Sequence, residues 1–304
     1  MSEAPRTSGM IGLGNMGGRI ARRIRDAGLP VRGHDRSPEQ AAGSGIEPAA
    51  SIAELVAAAD VVFLSLPDST VVEAVIFGDG GIVESARPGR VVVDLSTSAP
   101  SSSVRVHAAL AERGVAFVDA GISGGAAAAE QGTLAIMAGG SQDALALAGP
   151  FLDTFSAHVY HMGAPGSGHV AKLLNNFLNA ISLAATAEVM VAARRADLDL
   201  AQLLDVINHS SGVNFATMNR FPKIIEGDYL EGGLTSALMA KDVRLYLEYL
   251  QQIEVTSFTG AATLGAFHLA GALGYGDQIS NRVVDAIGDI AGGVRVQQTE
   301  RASS

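Results

Sequence analysis

Four polar side chains interrupt a long apolar run in this chain. Lys172, Asn175, Asn176 and Asn179 stand at i, i+3, i+4 and i+7 within GSGHVAKLLNNFLNAISLAATAEVMVAARRA, residues 166–196. That spacing puts side chains on one face of an α-helix. The segment has no proline after Pro165 and consists mostly of helix formers, so it is expected to be a single helix about 45 Å long. Most of its circumference is apolar, which predicts burial on nearly all sides. A solvated edge would account for any one of the asparagines. A lysine in the first turn with three amides in line reads instead as a proton-transfer group with orienting partners.

Two further stretches have residue types suited to chemistry. Gly12-Leu13-Gly14-Asn15-Met16-Gly17 is a G-x-G-x-x-G turn between a strand ending at Ile11 and a helix running to Gly28. A second strand, Val31–His34, ends at Asp35. In this order the first glycine makes the turn, the second admits a pyrophosphate and the third lets helix pack on strand. A dinucleotide is the implied ligand. Asp35 would accept hydrogen bonds from the adenosine ribose and repel a 2′-phosphate, which favours NAD; Arg36 beside it leaves NADP open. The second stretch is Gly121-Ile122-Ser123-Gly124-Gly125, read as a loop whose serine and bare backbone amides suit a small carboxylate or oxyanion. The following Ala126–Ala129 run reads as a connector. Lys241-Asp242 lies in a later apolar helix, as either an exposed ion pair or a cleft lysine. The seven histidines show no metal-ligand spacing.

These groups need elements to position them. The chain has 304 residues, 48% hydrophobic and 17% charged, with no cysteine. That excludes disulfides and thiolate metal sites and suits a reducing cytoplasm. A net charge of −10 with scattered basic residues argues against nucleic acid. No signal pattern opens the chain, and the polar groups in the long helix argue against a membrane span. Through residue 164, short apolar runs (Val61–Leu66, Arg90–Leu95, Val115–Asp119, Thr133–Ala138, His158–His161) alternate with helical segments. This is the pattern of a mostly parallel, doubly wound sheet covered on both faces. Leu66-Pro67, Ser96-Thr97 and the stretch after Asp119 fall at carboxyl ends of strands, where such sheets bind ligands. Beyond residue 165 no strand pattern returns. The expected organisation is an α/β dinucleotide-binding domain over residues 1–164, an all-helical domain over 165–296 entered by the long helix, and a polar tail over 297–304, with fraying from Gly293.

GLGNMG, DLSTSAP at 94–100, DAGISGG at 119–125, GSGHVAKLLNN at 166–176 and KDV at 241–243 occur in one order across residues 9–243. Together they resemble the signatures of the β-hydroxyacid dehydrogenases, which include 3-hydroxyisobutyrate dehydrogenase and tartronate semialdehyde reductase. The resemblance implies a small anionic 3-hydroxy acid or semialdehyde as substrate and a Rossmann-type domain followed by a helical one. It makes Lys172 the general acid/base and Asn176 its orienting partner, with burial and nearby Lys241 lowering the lysine's pKa. Ser123, Gly124, Gly125 and Asn175 would hold substrate. Gly12 to Gly17, Asp35, Arg36, Leu66, Pro67, Thr97 and Lys241 would hold the cofactor. Homodimers or homotetramers through the helical domain are also implied. The alternatives on the same scaffold are an imine reductase, which Lys172 disfavours, and a non-catalytic cofactor-binding protein. Two departures border the substrate. Gly121 stands where the family usually has proline, and the alanine run replaces the glycine that usually follows Ser-Gly-Gly.

Overall fold

A computed structural model describes residues 6–297. The chain divides into two compact units, the first ending at Lys172 and the second beginning at Leu173.

The first unit alternates as the apolar runs require. Its elements are β1 (Ser8–Ile11), α1 (Gly17–Asp26), β2 (Val31–His34), α2 (Pro38–Gly43), β3 (Glu47–Pro48), α3 (Ile52–Ala58), β4 (Val61–Leu64), α4 (Ser69–Phe77) and α5 (Ile82–Ser85). There follow β5 (Val91–Asp94), α6 (Pro100–Ala111), β6 (Ala116–Ser123), α7 (Gly125–Gln131), β7 (Leu134–Gly139), α8 (Gln142–Leu152), β8 (Ser156–Gly163) and α9 (Ser167–Arg195). Helix starts carry their caps: Ser51, Asp68 and Ser141 accept from the backbone N–H of Glu54, Val71 and Ala144. The strand order is β3-β2-β1-β4-β5-β6-β7-β8. The order reverses beside β1, so the G-x-G-x-x-G turn opens at the switch point where doubly wound sheets bind nucleotides. β1, β4 and β5 are buried along their whole length because both faces are covered. On one face Phe63 meets Phe151 and Phe155 edge-on at 6.1 and 6.0 Å. On the other, Leu64, Val92 and Phe117 pack under α3 to α6.

Two readings of this unit change. All pairs are parallel except β6–β7, where Asp119–Ser123 run antiparallel to Ala135–Gly139. The stretch expected to be a loop is therefore strand as far as Ser123. The alanine run expected to be a connector is α7, and its connection is too short for a parallel crossover.

In the second unit α9 continues from Leu173, followed by α10 (Leu200–Asn208), α11 (Phe215–Asn219), α12 (Phe221–Ile224), α13 (Ser236–Gln252), α14 (Gly260–Ala270) and α15 (Val283–Ile290). A 3₁₀ turn at Ser280–Arg282 precedes α15. Leu183, Ala187 and Met190 of α9 enter a core with Phe221, Met239, Val243, Phe267 and Val283. Phe177 stacks on Tyr246 with ring centroids 4.0 Å apart. The chain does not fray at Gly293. Val296 is buried in this core, Arg194 donates to its carbonyl at 2.8 Å, and Gln297 donates to the Tyr229 hydroxyl at 2.7 Å. Residues 298–304 of the expected tail lie outside the described residues.

Burial of α9 differs from expectation in both directions. Lys172 and Asn176 are buried and Asn179 is half-buried, but Asn175 is exposed. Leu174, Leu178 and Val189 on the far side are 43%, 66% and 47% exposed, so the helix is not buried all round. By length and composition alone α9 would suit a membrane, yet 56% of its most apolar window is packed inside the fold.

Candidate active site

Each glycine of the G-x-G-x-x-G turn is there for a different reason. Gly12 has φ +90°, and a Cβ on it would lie 2.2 Å from the Ser65 carbonyl oxygen. A Cβ on Gly17 would lie 2.0 Å from the Gly12 carbonyl oxygen, so helix and turn could not meet. Gly14 is under neither constraint: nothing lies within 4 Å of where its Cβ would be. That bare backbone is the room a pyrophosphate needs, so the residues fit the dinucleotide. Asp35 accepts from the Leu13 N–H and the Ser37 N–H, both at 2.8 Å, and so braces the turn from the end of β2.

A surface pocket of about 360 Å³ opens beside the turn, lined by Leu13, Gly14, Asn15, Arg22, Gln40 and Ser44 among others. Arg36 is exposed and is not part of this lining, while Met16 turns its side chain onto the core. Arg22, Gln40 and Ser44 were not singled out in the sequence. The only signal was the one-turn spacing of Arg22 from Arg19, which also lines the pocket.

The strand ends beyond β4 and β5 are tied together from below. The Leu66 N–H donates to Ser96 Oγ, the Ser96 N–H to Asp94 Oδ1, and Ser98 Oγ to Asp94 Oδ2, each at 2.9 Å. Buried Asp94 thereby fixes the loop that carries half-buried Thr97, and Pro67 lies exposed at the edge. His169 is wholly buried, with Nδ1 2.7 Å from Ser103 Oγ and Nε2 3.9 Å from Asp94 Oδ2. The residue types are those of a hydrolytic triad, but the serine is buried and 3.9 Å is too long for a hydrogen bond. The contact is packing at the start of α9.

Lys172 sits on a closely fitted mount. Buried Asp119 accepts from the Gly166 N–H at 2.7 Å and the His169 N–H at 2.8 Å, placing a carboxylate at the start of α9, where the helix dipole favours it. A Cβ on Gly168 would lie 2.3 Å from the Asp119 carbonyl oxygen, and one on Gly139 would lie 2.6 Å from Asp119 Oδ1. The first turn of α9 thus lies against β6 and β7 with no slack. One turn on, Lys172 is 8% exposed and its stem crosses Gly121 of β6. A Cβ there would be 2.5 Å from Lys172 Cβ and 2.8 Å from its Cγ. The strand then brings up half-buried Ser123, followed by Gly124 and Gly125 at φ +128° and +72°.

In the second unit Asn176 donates through Nδ2 to Asp242 Oδ2 at 2.6 Å, and both residues are buried. Asp242 also pairs with half-buried Lys241, whose Nζ lies 3.2 Å from Oδ1. Asp242 is the residue that the sequence left out of the site: it orients Asn176 from 66 positions away. Asn179 Oδ1 accepts from Arg220 at 3.0 Å, another pairing the sequence did not indicate. Among the described residues no group of three or more histidines and acids could hold a metal.

Residues 7–163 match the family described as the NAD binding domain of 6-phosphogluconate dehydrogenase. Residues 166–287 match that described as NAD-binding of NADP-dependent 3-hydroxyisobutyrate dehydrogenase. The chain belongs to the β-hydroxyacid dehydrogenases. It is 36% identical to the NAD-dependent L-serine dehydrogenase of Pseudomonas aeruginosa over 88% of this chain and 93% of that one. The Mycobacterium tuberculosis 3-hydroxyisobutyrate dehydrogenase, solved with L-serine, superposes with a TM-score of 0.85 at 31% identity over 92% of this chain and 98% of that one. A Streptomyces aurantiacus imine reductase, 21% identical with a TM-score of 0.62 over 92% and 98% of the two chains, shares the fold alone. The protein is therefore a nicotinamide-dependent dehydrogenase acting on hydroxy acids, with its NAD-binding fingerprint in the first unit.

Proposed function

We propose that this β-hydroxyacid dehydrogenase interconverts a small 3-hydroxy acid and its semialdehyde, prefers NAD, and uses Lys172 as general acid/base. The observation that carries the reading is the mount of Lys172: a buried lysine whose stem lies on Gly121 and whose helix start is clamped by Asp119. The nicotinamide ring, when bound, supplies the hydride acceptor or donor. In oxidation, neutral Lys172 takes the hydroxyl proton as the hydride leaves the same carbon. In reduction, its ammonium donates that proton to the carbonyl oxygen. Asn176, held by Asp242, orients the lysine and the reacting oxygen from one turn along α9.

Ser123, Gly124 and Gly125 seat the substrate carboxylate through hydroxyl and backbone N–H groups, and Asn175 is a further substrate-binding residue. Leu66, Pro67, Thr97 and Lys241 border the nicotinamide end. Asp35 selects NAD, since its carboxylate repels a 2′-phosphate. Asp35→Ser should move the kcat/KM ratio toward NADP. A homo-oligomer built through the second unit is supported by the exposed apolar side of α9.

The test is Lys172→Ala, which should lower kcat by roughly 10²- to 10⁴-fold with cofactor affinity and circular dichroism retained. Lys172→Arg should rescue little, because a guanidinium keeps its proton. Oxidation should speed up as pH rises and Lys172 loses its proton, and reduction should slow. Near wild-type turnover by Lys172→Ala would overturn the assignment.

A further inference from the structure

The packing of His169 at the start of α9 leaves one atom unanswered. Of the seven histidines, all of them among the described residues, only His169 is buried. Its Nδ1 lies 2.7 Å from Ser103 Oγ, but Nε2 is enclosed with no hydrogen-bond partner. Nε2 faces buried Asp94, whose Oδ2 stands 3.9 Å away. The tautomer follows from these neighbours. A carboxylate favours an N–H directed at it, which places the ring proton on Nε2 and leaves Nδ1 to accept from the Ser103 hydroxyl. The Ala99 carbonyl, 3.4 Å from Ser103 Oγ, has the weaker claim on that hydroxyl proton. His169 therefore holds a buried donor about 1 Å beyond hydrogen-bond range of an anion.

A buried donor left open is costly, and a native structure keeps one where it has a use. The two sides of this gap show what the use is. Asp94 ends β5 and accepts from the Ser96 N–H and the Ser98 hydroxyl, each at 2.9 Å. It is thus tied to the loop that carries half-buried Thr97, and its oxygens keep lone pairs for a further donor. Across the gap, His169 stands three residues before Lys172, on the same face of α9. Its backbone N–H is held by Asp119 at 2.8 Å. Ser103 belongs to α6, and a Cβ on Gly166 would lie 3.2 Å from Val104 Cγ2 of that helix, so α6 and the start of α9 are in close contact. All of these groups belong to the first unit. A shift of the Thr97 loop is delivered through one imidazole to the turn that bears Lys172.

We propose that His169 is a positioning residue whose Nε2–H closes on Asp94 when the dinucleotide occupies the Thr97 loop, and that the closed contact sets Lys172 for proton transfer. This rests on the reaction proposed above, with Lys172 as acid/base and Thr97 at the nicotinamide end. His169 is wholly enclosed and takes no proton from the substrate; it acts through the helix turn. The proposal explains why an imidazole stands where an apolar side chain would fill the space, and why its open atom faces the carboxylate that ties the loop.

The test is nuclear magnetic resonance of the full-length protein with isotope-labelled histidine, before and after saturation with NAD. The His169 signal is assigned by its absence from His169→Asn or His169→Gln. Its proton should be on Nε2 and should move downfield when NAD is added, as a new hydrogen bond to a carboxylate requires. Asp94→Asn should abolish that move. Kinetics with 3-hydroxypropionate, the simplest 3-hydroxy acid, give a second readout. His169→Asn keeps the atom facing Ser103 and removes the one facing Asp94. It should lower kcat about 10-fold, the usual worth of a hydrogen bond to a charged group, while KM for 3-hydroxypropionate holds. His169→Gln, whose amide reaches the Nε2 position, should recover most of the loss. A ring proton on Nδ1, a signal that NAD leaves in place, or wild-type kcat in His169→Asn would each overturn the proposal. So would equal losses in the two variants that track a fall in Tm, since packing alone predicts that. If NAD moves the signal but no hydroxy acid is turned over, the link between loop and helix stands and the reaction assignment fails.

Discussion

At the scale of single residues, two glycines that look alike in the sequence make opposite demands. Gly14 touches nothing in the protein, so Gly14→Ala should leave thermal stability within about 0.5 kcal/mol and act on the ligand alone. Its Cβ would stand where the pyrophosphate approaches, so the NAD dissociation constant should rise by 10-fold or more. Titration of NAD against intrinsic fluorescence or by calorimetry checks this, and unchanged affinity would remove Gly14 from the cradle. Gly121 is the reverse. Its backbone conformation does not require glycine, but a Cβ would lie 2.5 Å from Lys172 Cβ. Asp119 pins the first turn of α9, so the lysine stem must give way. Gly121→Ala should lower kcat by about 10- to 100-fold, the cost of misplacing a reacting group by about 1 Å. NAD affinity should hold, and the pH profile of oxidation should shift because the ammonium has a new environment. A loss of stability with an unshifted profile would reduce Gly121 to a packing residue. This is also the position where the chain departs from the proline usual in its family.

Elements carry the next set of consequences, and α9 carries most of them. Asp119 is its N-terminal anchor, and both carboxylate oxygens are committed to backbone N–H groups. Asp119→Asn replaces one acceptor by an NH₂ facing a donor, which should cost about 2–4 kcal/mol. It should also lower kcat, because the turn that bears Lys172 loosens; a denaturation midpoint beside steady-state rates tests both. A smaller effect ties α4 to α6. The Glu73 carboxyl is held below its usual pKa by the Ser102 hydroxyl at 2.6 Å and then by Arg105. Its contribution is complete above the ordinary carboxylate range and is lost as pH falls through the lowered native value. Glu73→Gln should cost less than about 1 kcal/mol at neutral pH, and the difference should vanish in acid.

The limits of α9 and α10 were legible in the sequence, since a 3.6-residue pattern bounded by glycine or an aspartate cap is local information. The G-x-G-x-x-G turn was legible for the same reason. Which of Lys172, Asn175, Asn176 and Asn179 turn inward was not, because a four-residue arc leaves Asn175 on its rim. The extension of β6 to Ser123 depends on pairing with β7, and the hold of Asp242 on Asn176 joins two helices far apart in sequence. The short helices α11 and α12, five and four residues, fall below the length at which a period can be read.

At the scale of the whole molecule, the question is what covers the outer side of α9. Leu174, Leu178, Ala185, Val189 and Ala192 follow at helical spacing along it, and all are exposed in the single chain. The same unit also exposes Val206 at 56% and Phe258 at 93%. A net charge of −10 opposes self-association, so a contact between copies must be made by apolar burial. Small residues at 185 and 192 would let a second helix approach closely, with Leu178 and Val189 as the large anchors. A stable contact of this kind buries on the order of 1,000 Å² or more. A glutamate placed on the face would have to be desolvated within that area, a cost of several kcal/mol that the contact cannot absorb. Light scattering after size exclusion should therefore find wild type at a multiple of the chain mass and Leu178→Glu at the chain mass. Circular dichroism and NAD binding of the variant should be retained, since Leu178 is 66% exposed and outside the core. A wild-type protein at the chain mass, or a Leu178→Glu protein that still assembles, would show that α9 is not the surface through which copies meet.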